Sequence, residues 1–342
     1  MRGGTKMAWY NEIGNEFDTV LSSRIRFARN LRAYPFEGKL TPDGAKEIIE
    51  KVDSAFKGQG FKRHDFSGGF TTDAASLVEK HYISREFAAK KSPHSLLINE
   101  STSASVMICE EDHIRLQTIL PGLALNEAYD IATKYDDIID SSLDIAYDEE
   151  LGYLTHCPTN LGTGMRASVM MFLPVLTMSG RISSIASQLS KIGLTMRGMY
   201  GEGSEGKGGI YQISNQITLG ITEEDTIKKL YDIIGQINEQ ERKLRSSIKG
   251  ENLERLRDTV LRSEGILKYA HMLSSGEFIE HFSNIRLGIA LGIITDISYV
   301  TLGKLFIETM PATLTLSEKN APGTDSERDR ARAALCHSTL GK

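Results

Sequence analysis

Residues 95–120 read SLLINESTSASVMICEEDHIRLQTIL, and this stretch decides the fold class. Short apolar or alternating runs at residues 95–99, 104–109 and 113–119 are separated by polar residues, a pattern typical of β-strands joined by turns. Pro121 and Gly122 then end the third run. Strands that follow one another so closely can pair only in the antiparallel sense, because a parallel crossover needs a longer connection. An antiparallel sheet is therefore predicted.

The segments around this stretch mix helices and strands. Thr41 before Pro42 is a typical helix start, and apolar residues recur at helical spacing from Ala45 to Phe56. Helices are also predicted around residues 125–132, 165–179 and 182–192, strands at residues 153–157, 194–200 and 209–220, and a loop at residues 61–75. Because no βαβ order repeats, the pattern favours an α+β fold, a largely antiparallel sheet with helices.

The chain becomes helical after about residue 222. Apolar stripes at helical spacing occupy residues 227–237 and 253–261, and charged residues fill the other faces. Lys249 and Gly250 interrupt the pattern. The sequence therefore predicts a first domain at residues 1–249 and a helical C-terminal domain at residues 250–342.

Composition and charge exclude several classes of protein. The net charge of -5 gives no bulk basic field for nucleic acid or anionic membranes. Residues 1–14 lack the pattern of a secretory signal, and no apolar run reaches the roughly 18 residues of a membrane span. The 3 cysteines are too few and too scattered for a disulfide framework or a cysteine metal site, so a reducing cytoplasm is expected and no metal ligand is predicted.

Arginines recur in four segments rich in glycine, serine or acidic residues. These segments are SSRIR at residues 22–26, EEDHIR at 110–115, CPTNLGTGMRASV at 157–169 and RGMYGE at 197–202. Arginine carries a permanent charge on a planar fork that fits phosphate oxygens, and phosphoryl transfer depends on neutralising the moving group. Arg24 and Arg26 would face the same side of a strand. The five arginines that could converge on a polyphosphate are Arg24, Arg26, Arg115, Arg166 and Arg197.

In the same order, these four segments resemble the motifs of the phosphagen kinases, the ATP:guanido phosphotransferases. The resemblance implies a glutamine-synthetase-like antiparallel sheet flanked by helices, with ATP and Mg²⁺ as cofactors. Mg²⁺ is expected to be held mostly by phosphates and water. The resemblance also implies nucleotide contacts from Ser22, Ser23, Arg24, Ile25, Arg26, His81, Arg115, Arg166, Ala167, Ser168, Val169, Met170, Arg197, Gly198, Met199, Tyr200, Gly201 and Glu202. For His81, a structural role is about as well supported by the sequence.

Two carboxylates and one thiol match the family's catalytic positions. A guanidinium has a pKa above about 12 and is therefore protonated at neutral pH. Its attack on a phosphate needs a carboxylate that orients it and takes its proton. Glu111 matches the catalytic glutamate, Glu202 the second carboxylate of arginine-specific members, and Cys157 the active-site cysteine, whose thiolate would help to hold a cationic guanidinium. The neighbouring alternatives, for which solvated charge or strand-end hydrogen bonding is the simpler role, are Glu110, Asp112 and Glu205.

Two features depart from the small-molecule members. Their helical N-terminal domain of about a hundred residues has no room before Ser22, and Cys109 stands where asparagine is usual. The first departure resembles bacterial members that phosphorylate arginine side chains of proteins. That resemblance implies arginine-containing protein substrates marked for a Clp protease in the stress response, a zinc-binding activator protein and a homodimer. A kinase for free arginine and a non-catalytic phosphoarginine-binding adaptor stay open as alternatives.

The C-terminal tail carries a further motif. RDRARA at residues 328–333 fits the RDxxRA pattern of a phosphoarginine pocket in those bacterial members. On a helix, residues 328 and 332 lie four apart and share a face. An allosteric phosphoarginine site is therefore predicted at Arg328, Asp329, Arg332 and Ala333. A solvated charged helix is the simpler alternative.

Overall fold

A computed structural model describes residues 8–66, 68–199, 206–317 and 322–341 of the chain. Its β-strands include those predicted at residues 95–120 and those predicted near residues 194–200 and 209–220. Within the described residues they are β1 Val20–Arg29, β2 Lys62–Phe66, β3 His94–Asn99, β4 Ala104–Ile108, β5 Ile114–Pro121, β6 Tyr147–Asp148, β7 Gly152–Tyr153, β8 Met165–Phe172, β9 Leu194–Gly198 and β10 Ile210–Asn215.

Eight of these strands form one sheet, in the order β2-β3-β4-β5-β1-β8-β10-β9. Every neighbouring pair in this sheet is antiparallel. The remaining two strands, β6 and β7, form a small hairpin of their own. The predicted antiparallel sheet is confirmed, and the strand at the centre, β1, is the one that carries Arg24 and Arg26.

Helices flank the sheet and fill the C-terminal part of the chain. In the described residues they are α1 Pro42–Ala55, α2 Thr72–Glu79, α3 Arg85–Ala89, α4 Leu125–Ser142, α5 Pro174–Met178, α6 Ile182–Lys191, α7 Glu223–Ser247, α8 Glu251–Tyr269, α9 Ser275–Ala290, α10 Tyr299–Glu308, α11 Pro311–Ser317 and α12 Asp325–Leu340. The Thr41 hydroxyl accepts a hydrogen bond from the Gly44 amide, as its predicted capping role requires. None of the described helices combines the length and apolar character that crossing a membrane requires.

The two faces of the sheet have different coverings. On one face, Ile25, Phe27 and their neighbours pack with α1, α4 and α7 in the larger hydrophobic core. The opposite face is divided along the strands. Its apolar end, with Met170 and Phe172, packs with residues of α8, α9, α10 and α12. Its polar end carries the arginines. The predicted boundary at residues 249–250 falls in the short connection between α7 and α8, and the division into domains stays a prediction.

Three local predictions are wrong. Residues 165–172 form strand β8 instead of a helix, because a central strand buries both faces and its apolar run then imitates a buried helix. The helix predicted there is reduced to α5, which begins at Pro174. Residues 62–66 form the edge strand β2 instead of a loop, and its sequence KRHDF has no apolar alternation to reveal it. Of the strand predicted at residues 153–157, only Tyr153 pairs, as the last residue of β7.

Candidate active site

An arginine-rich cleft occupies the polar end of the sheet. Arg24 and Arg26 come from β1, Arg115 from β5, Arg166 from β8 and Arg197 from β9, and Arg26 stands directly opposite Arg166 in the β1–β8 register. Side chains alternate along a strand, so these positions share one face. All five predicted arginines line a single cleft with a volume of about 610 Å³.

The electrostatics of this cleft favour an anionic ligand. Burial lowers the pKa of Arg26 well below its ordinary value, and the charges of Arg24, Arg115 and Arg166 lower it further. Burial and the charges of Arg115 and Arg166 likewise lower the pKa of Arg24 to about 10. The buried Nε of Arg26 has no hydrogen-bond partner among the described residues. A phosphate would supply both the missing acceptor and the missing negative charge.

Arg24 is held in place from two neighbouring strands. Its Nε donates to Ser168 Oγ over 3.3 Å, and its Nη2 donates to Gln212 Oε1 over 2.8 Å. Gln212 lies on β10 and lines the cleft. The sequence analysis did not select Gln212, although its position two residues before Ser214 on a strand beside β8 would place both on the arginine face.

Glu110 is engaged as a structural partner of Arg115. Its Oε2 accepts from Arg115 Nη1 at 2.5 Å and from the Glu111 amide at 2.9 Å, and its Oε1 accepts from Ser84 Oγ at 2.6 Å. Burial alone would raise the pKa of Glu110, but Arg115 and these hydrogen bonds lower it. Glu110 therefore holds Arg115 and is a poor proton acceptor.

Glu111 has the opposite environment. It lines the cleft beside Arg115 and is only half-buried. Its carboxylate accepts no hydrogen bond from the described residues. Burial raises the pKa of Glu111, the charge of Arg115 opposes this, the charges of Asp112 and Glu110 support it, and the pKa lies above its ordinary value. A free carboxylate with a raised pKa at the edge of a cationic cleft has the chemistry of a general base.

Asp112 organises the turn that carries Glu111. Its Oδ1 accepts from Asn30 Nδ2 and from the His156 amide, both at 2.7 Å, and its carbonyl accepts from the Glu110 amide at 3.1 Å. One buried side chain thus joins the end of β1, the β4–β5 turn and the segment that leads into Cys157. The alternative role of strand-end hydrogen bonding applies to Asp112.

Cys109 opens the same turn in a left-handed conformation with φ of 62°. Asparagine tolerates this conformation better than most side chains, which is a physical reason for the asparagine usual at this position. Here the Cys109 thiol is buried, which raises its pKa to about 12. The ammonium of Lys90 donates to the Cys109 carbonyl and, over 3.0 Å, to the Glu110 carbonyl. These bonds hold the turn without an asparagine side chain.

Cys157 lies on a separate loop beside the turn. Its Sγ is 3.0 Å from Thr159 Oγ1, and it is partly exposed. The Thr218 hydroxyl donates to the Thr159 carbonyl at 3.0 Å and to the Leu161 carbonyl at 2.7 Å. Gly162 has φ of 107°, and a Cβ there would lie 2.3 Å from the Thr218 carbonyl oxygen. Cys157 does not line the arginine cleft itself.

The second wall of the cleft comes from outside the arginine segments. The end of α2 and the segment before α3 contribute Glu79, His81 and Ser84. The C-terminal part of the chain contributes Phe306 of α10 and Met310, which lies between α10 and α11. Burial, followed by the charge of Arg24, lowers the pKa of His81 to about 3, so its ring is neutral at ordinary pH. Of these residues, only His81 was predicted to lie at the site.

Some residues of the predicted nucleotide set do not reach the cleft. The side chains of Ile25, Ala167 and Val169 are packed in the core on the opposite face of the sheet, and the nucleotide contacts of these residues stay a prediction. Ser23 also faces away, because its hydroxyl donates to the Gly122 carbonyl at 2.8 Å. Met170 belongs to the apolar cluster against the C-terminal helices. Alternation along β1 and β8 is the cause for Ser23, Ile25, Ala167 and Val169, since only every second residue faces the cleft. Met170 is in phase with Arg166 and lies instead at the apolar end of the same face.

The other predicted residues divide into three groups. Gly198 and Met199 line the cleft at the end of β9. Ser22 is buried and does not line it, while Ser168 contributes through its bond to Arg24. The remaining members lie outside the described residues, namely Tyr200, Gly201, Glu202 and the lower-ranked alternative Glu205.

Comparison with known families identifies the fold and the chemistry. A profile described as "ATP:guanido phosphotransferase, C-terminal catalytic domain" matches residues 45–244, and one described as "Protein-arginine kinase McsB C-terminal domain" matches residues 253–342. The chain belongs to the ATP:guanido phosphotransferase family. It is a kinase, and ATP is the phosphoryl donor that this family uses. The arginine cleft is therefore the place where a nucleotide polyphosphate fits.

Individual relatives of this guanido phosphotransferase cover nearly the whole chain. A protein-arginine kinase of Brevibacillus brevis is 42% identical over 338 residues, 97% of this chain and 94% of the relative. A protein-arginine kinase of Halothermothrix orenii is 43% identical over 335 residues, 97% of this chain and 96% of the relative.

Two solved structures share its fold. The structure of lombricine kinase has a TM-score of 0.60 and 23% identity and covers 71% of either chain. The duplicated taurocyamine kinase from Schistosoma mansoni has a TM-score of 0.61 and 23% identity, covering 84% of this chain and 49% of that one. At this identity the likeness shows the fold alone, the phosphagen-kinase fold with its antiparallel sheet.

The RDRARA motif at residues 328–333 lies on α12 and does not line the cleft. Arg332 is buried, and its guanidinium donates to the Thr309 carbonyl at 2.9 Å, the Leu273 carbonyl at 2.7 Å and Asp329 Oδ1 at 2.8 Å. Arg328 is more exposed and pairs with Asp325. Ala333 is buried. The structure thus places Arg332 in an internal network, and Arg328 is the member nearer to solvent.

Metal ligands are sparse in this kinase. The described residues contain no group of three or more histidine, cysteine, aspartate or glutamate side chains that could hold a metal ion. Five arginines line the cleft and suit phosphate oxygens, and the carboxylates of Glu79, Glu86 and Glu111 line it as well. The described residues of the cleft therefore fit a nucleotide polyphosphate, and among them no group of side chains is assigned to Mg²⁺.

Proposed function

We propose that this guanido kinase phosphorylates arginine side chains of proteins, with ATP as the donor. The observation that carries the proposal is the cleft that brings five arginines to one side of Glu111, the free carboxylate with a raised pKa. The choice of protein arginine as the acceptor rests on the two relatives named protein-arginine kinase, which match along 97% of this chain.

The arginines neutralise the polyphosphate in this mechanism. Arg24, Arg26, Arg115 and Arg166 surround the position where the transferred phosphoryl group and the leaving ADP oxygen carry negative charge. Arg26 supplies its unpartnered Nε. Positioning and charge neutralisation are the main sources of catalysis in phosphoryl transfer. Mg²⁺ would arrive with ATP and neutralise phosphate charge, and no described residue is assigned to it.

Glu111 activates the acceptor. Its carboxylate orients the substrate guanidinium and takes one proton as a guanidinium nitrogen attacks the γ-phosphorus. A nitrogen–phosphorus bond forms, the bond to the ADP oxygen breaks, and its electron pair leaves with ADP. The raised pKa of Glu111 makes it a better proton acceptor than an ordinary glutamate. Cys157 and Glu202 are proposed to contact the substrate guanidinium.

A direct assay compares two acceptors. The chain is incubated with labelled ATP and either free arginine or an unfolded, arginine-containing protein, and acid-labile label is counted on each. We expect label on the protein. Label on free arginine alone would instead identify a small-guanidine kinase, and ATP or phosphoarginine binding without transfer would identify a non-catalytic adaptor. Mass spectrometry of the labelled protein then assigns the modified residue.

The tail motif is proposed as a second, allosteric phosphoarginine site. Arg328, together with Asp329, would contact the phosphoguanidinium, while Arg332 stabilises the pocket from beneath through its bonds to backbone carbonyls. Because removing Arg332 would unpair buried groups, Arg328→Ala is the cleaner test. It should weaken phosphoarginine binding in a fluorescence titration while leaving ATP binding unchanged; equal phosphoarginine binding by both forms rejects the pocket.

The cellular setting is also a proposal. The modified arginines would mark proteins for a Clp protease during stress, in the cytoplasm, with a zinc-binding activator and the kinase as a homodimer. The support is the family of the relatives and the second profile match at residues 253–342. Co-purification from stressed cells, with and without the activator, tests the partners. Sedimentation of the purified chain in an analytical ultracentrifuge tests the dimer.

A further inference from the structure

The last residue of α2 is bonded to a helix of the C-terminal part of the chain. Glu79 Oε1 accepts from the Ala312 amide at 2.8 Å, and Glu79 Oε2 accepts from the Thr313 amide and hydroxyl, both at 2.7 Å. Pro311 begins α11 and has no amide hydrogen, so Ala312 and Thr313 carry the first amides that the helix leaves without internal partners. Glu79 therefore caps α11 from 233 residues away in the sequence.

A second bond supports this contact one turn earlier on α2. Ser76 Oγ lies 3.1 Å from Thr313 Oγ1, and both residues are buried. Residues 76 and 79 are three apart and share a face of α2. Hydrogen bonds to a charged carboxylate are among the stronger ones, and limited solvent access strengthens them further. We call the contact of Glu79 and Ser76 with α11 the α2–α11 clamp.

On one side, the clamp continues into the phosphate cleft. The segment after Glu79 is bonded to the sheet, because Gln117 Nε2 donates to the His81 carbonyl at 2.7 Å and to the Tyr82 carbonyl at 3.1 Å. Ser84 then donates to Glu110, the carboxylate that holds Arg115. The end of α2 is thereby fixed relative to the arginine face.

On the other side, the clamp fixes the wall opposite the arginines. Met310 and Phe306 line the cleft, and Met310 directly precedes α11. Thr309 precedes Met310, and its carbonyl accepts from Arg332 of α12. The wall residue Met310 is therefore held between the Arg332 contact and the Glu79 contact.

We propose that Glu79 is a positioning residue that sets the width of the nucleotide cleft by joining the arginine face to the C-terminal helices. The clamp favours the arrangement in which Met310 and Phe306 face the arginines, and ATP binds that arrangement best. Any ligand or partner that moves α12 reaches the cleft through Thr309, Met310 and Glu79. The phosphorylation readout rests on the proposed function, but the ATP-binding readout does not.

The test separates positioning from general destabilisation. Glu79→Gln keeps the size of the side chain but loses the charge and places an amide group against the amides of α11. If the binding-competent arrangement falls to about one tenth of the population, the apparent Kd and KM for ATP rise about tenfold. At saturating ATP the ligand restores that arrangement, so kcat should change less than about threefold. A loss of folded protein would lower kcat without raising KM.

Two sets of controls make the result specific. Asp73→Asn removes the same charge from an exposed position of the same helix and should leave the ATP affinity unchanged. Thr313→Ala removes one bond to Glu79 and the contact with Ser76, and should raise KM for ATP about threefold. Thr313→Ser keeps the hydroxyl and should restore the wild-type value. If Glu79→Gln does not fold, the Thr313 pair carries the test.

The outcomes are decisive for each idea separately. An unchanged ATP affinity and KM in folded Glu79→Gln, or an equal rise in Asp73→Asn, would overturn the clamp. So would equal KM values for Thr313→Ala and Thr313→Ser. A wild-type chain that binds ATP but transfers no phosphate to protein would refute the proposed function, and the calorimetric titrations with an ATP analogue would still decide on Glu79.

Discussion

Replacing Arg24 by methionine should stabilise the ligand-free protein while weakening ATP binding. The pKa of Arg24 is lowered to about 10 from an ordinary 12.5 by burial and by Arg115 and Arg166. One pKa unit corresponds to about 1.4 kcal/mol, so keeping Arg24 charged costs the folded protein up to about 3 kcal/mol. Arg24→Met also loses the bonds to Ser168 and Gln212, at about 1 kcal/mol each.

The two contributions leave a net stabilisation of about 1 kcal/mol, or an increase in Tm of roughly 2 °C for a chain of this size. The effect on ATP has the opposite sign. A charge-assisted hydrogen bond contributes about 1.5–3 kcal/mol, so the Kd for ATP should rise about 10- to 100-fold. We expect this pair of opposite changes because the partly buried arginines repel one another until an anion binds between them.

The assay is thermal unfolding with and without ATP, together with calorimetric titration of an ATP analogue. Arg257→Met is the matched control, because Arg257 is exposed on α8, outside the cleft, and its replacement should change neither quantity. A clear decrease in Tm of ligand-free Arg24→Met would refute the repulsion argument. Unchanged ATP affinity would refute the role of Arg24 in binding phosphate.

Three further predictions follow from Glu111 and the Cys157 loop. Glu111→Gln should lower phosphoryl transfer at least about 100-fold with ATP affinity unchanged, and a rate above half of wild type removes Glu111 from the base role. The control Glu127→Gln, at an exposed position of α4, should match the wild type. Because the pKa of Glu111 is raised and the base must be deprotonated, kcat/KM should fall with decreasing pH at a midpoint above 4.5; a midpoint at or below that value contradicts the assignment. Gly162→Ala should lower Tm by several degrees, since φ of 107° and a 2.3 Å approach to the Thr218 carbonyl oxygen exclude a Cβ, and an unchanged Tm would show that the loop adjusts.

The arginine face of the site could be predicted from local sequence, because a strand has a period of two. Arg24 and Arg26 were placed together for that reason, and the β1–β8 register confirms that Arg26 stands opposite Arg166. The same period explains why the side chains of Ile25 and Ala167, which belong to the same sequence motifs, pack in the core on the other face. Motif resemblance selects residues in sequence, whereas only the pairing of strands decides which of them face the ligand.

Apart from His81, the second wall of the cleft could not be predicted, because its contacts are long-range. Glu79 meets Ala312 across 233 residues. The turn that carries Glu111 is held by a similar long-range contact, between Asp112 and Asn30 across 82 residues. No local pattern distinguishes such a glutamate or aspartate from a solvated surface charge. The helix prediction at residues 165–172 was wrong for a related reason. The apolar run of β8 reflects burial on both faces, and periodicity within the strand cannot show which elements cover them.

A single face of the sheet serves both as phosphate cleft and as interface with the C-terminal helices. Along β8, Arg166 belongs to the cleft, whereas Phe172 packs against those helices. Along β10, Gln212 bonds Arg24, whereas Ile210 is packed in the same apolar cluster as Phe172. The strands are stiff units, so a shift of the helices against the apolar end must also change how the opposite cleft wall meets the arginines. The shared strands and the α2–α11 clamp are therefore sufficient to couple a movement of the C-terminal helices to ATP binding.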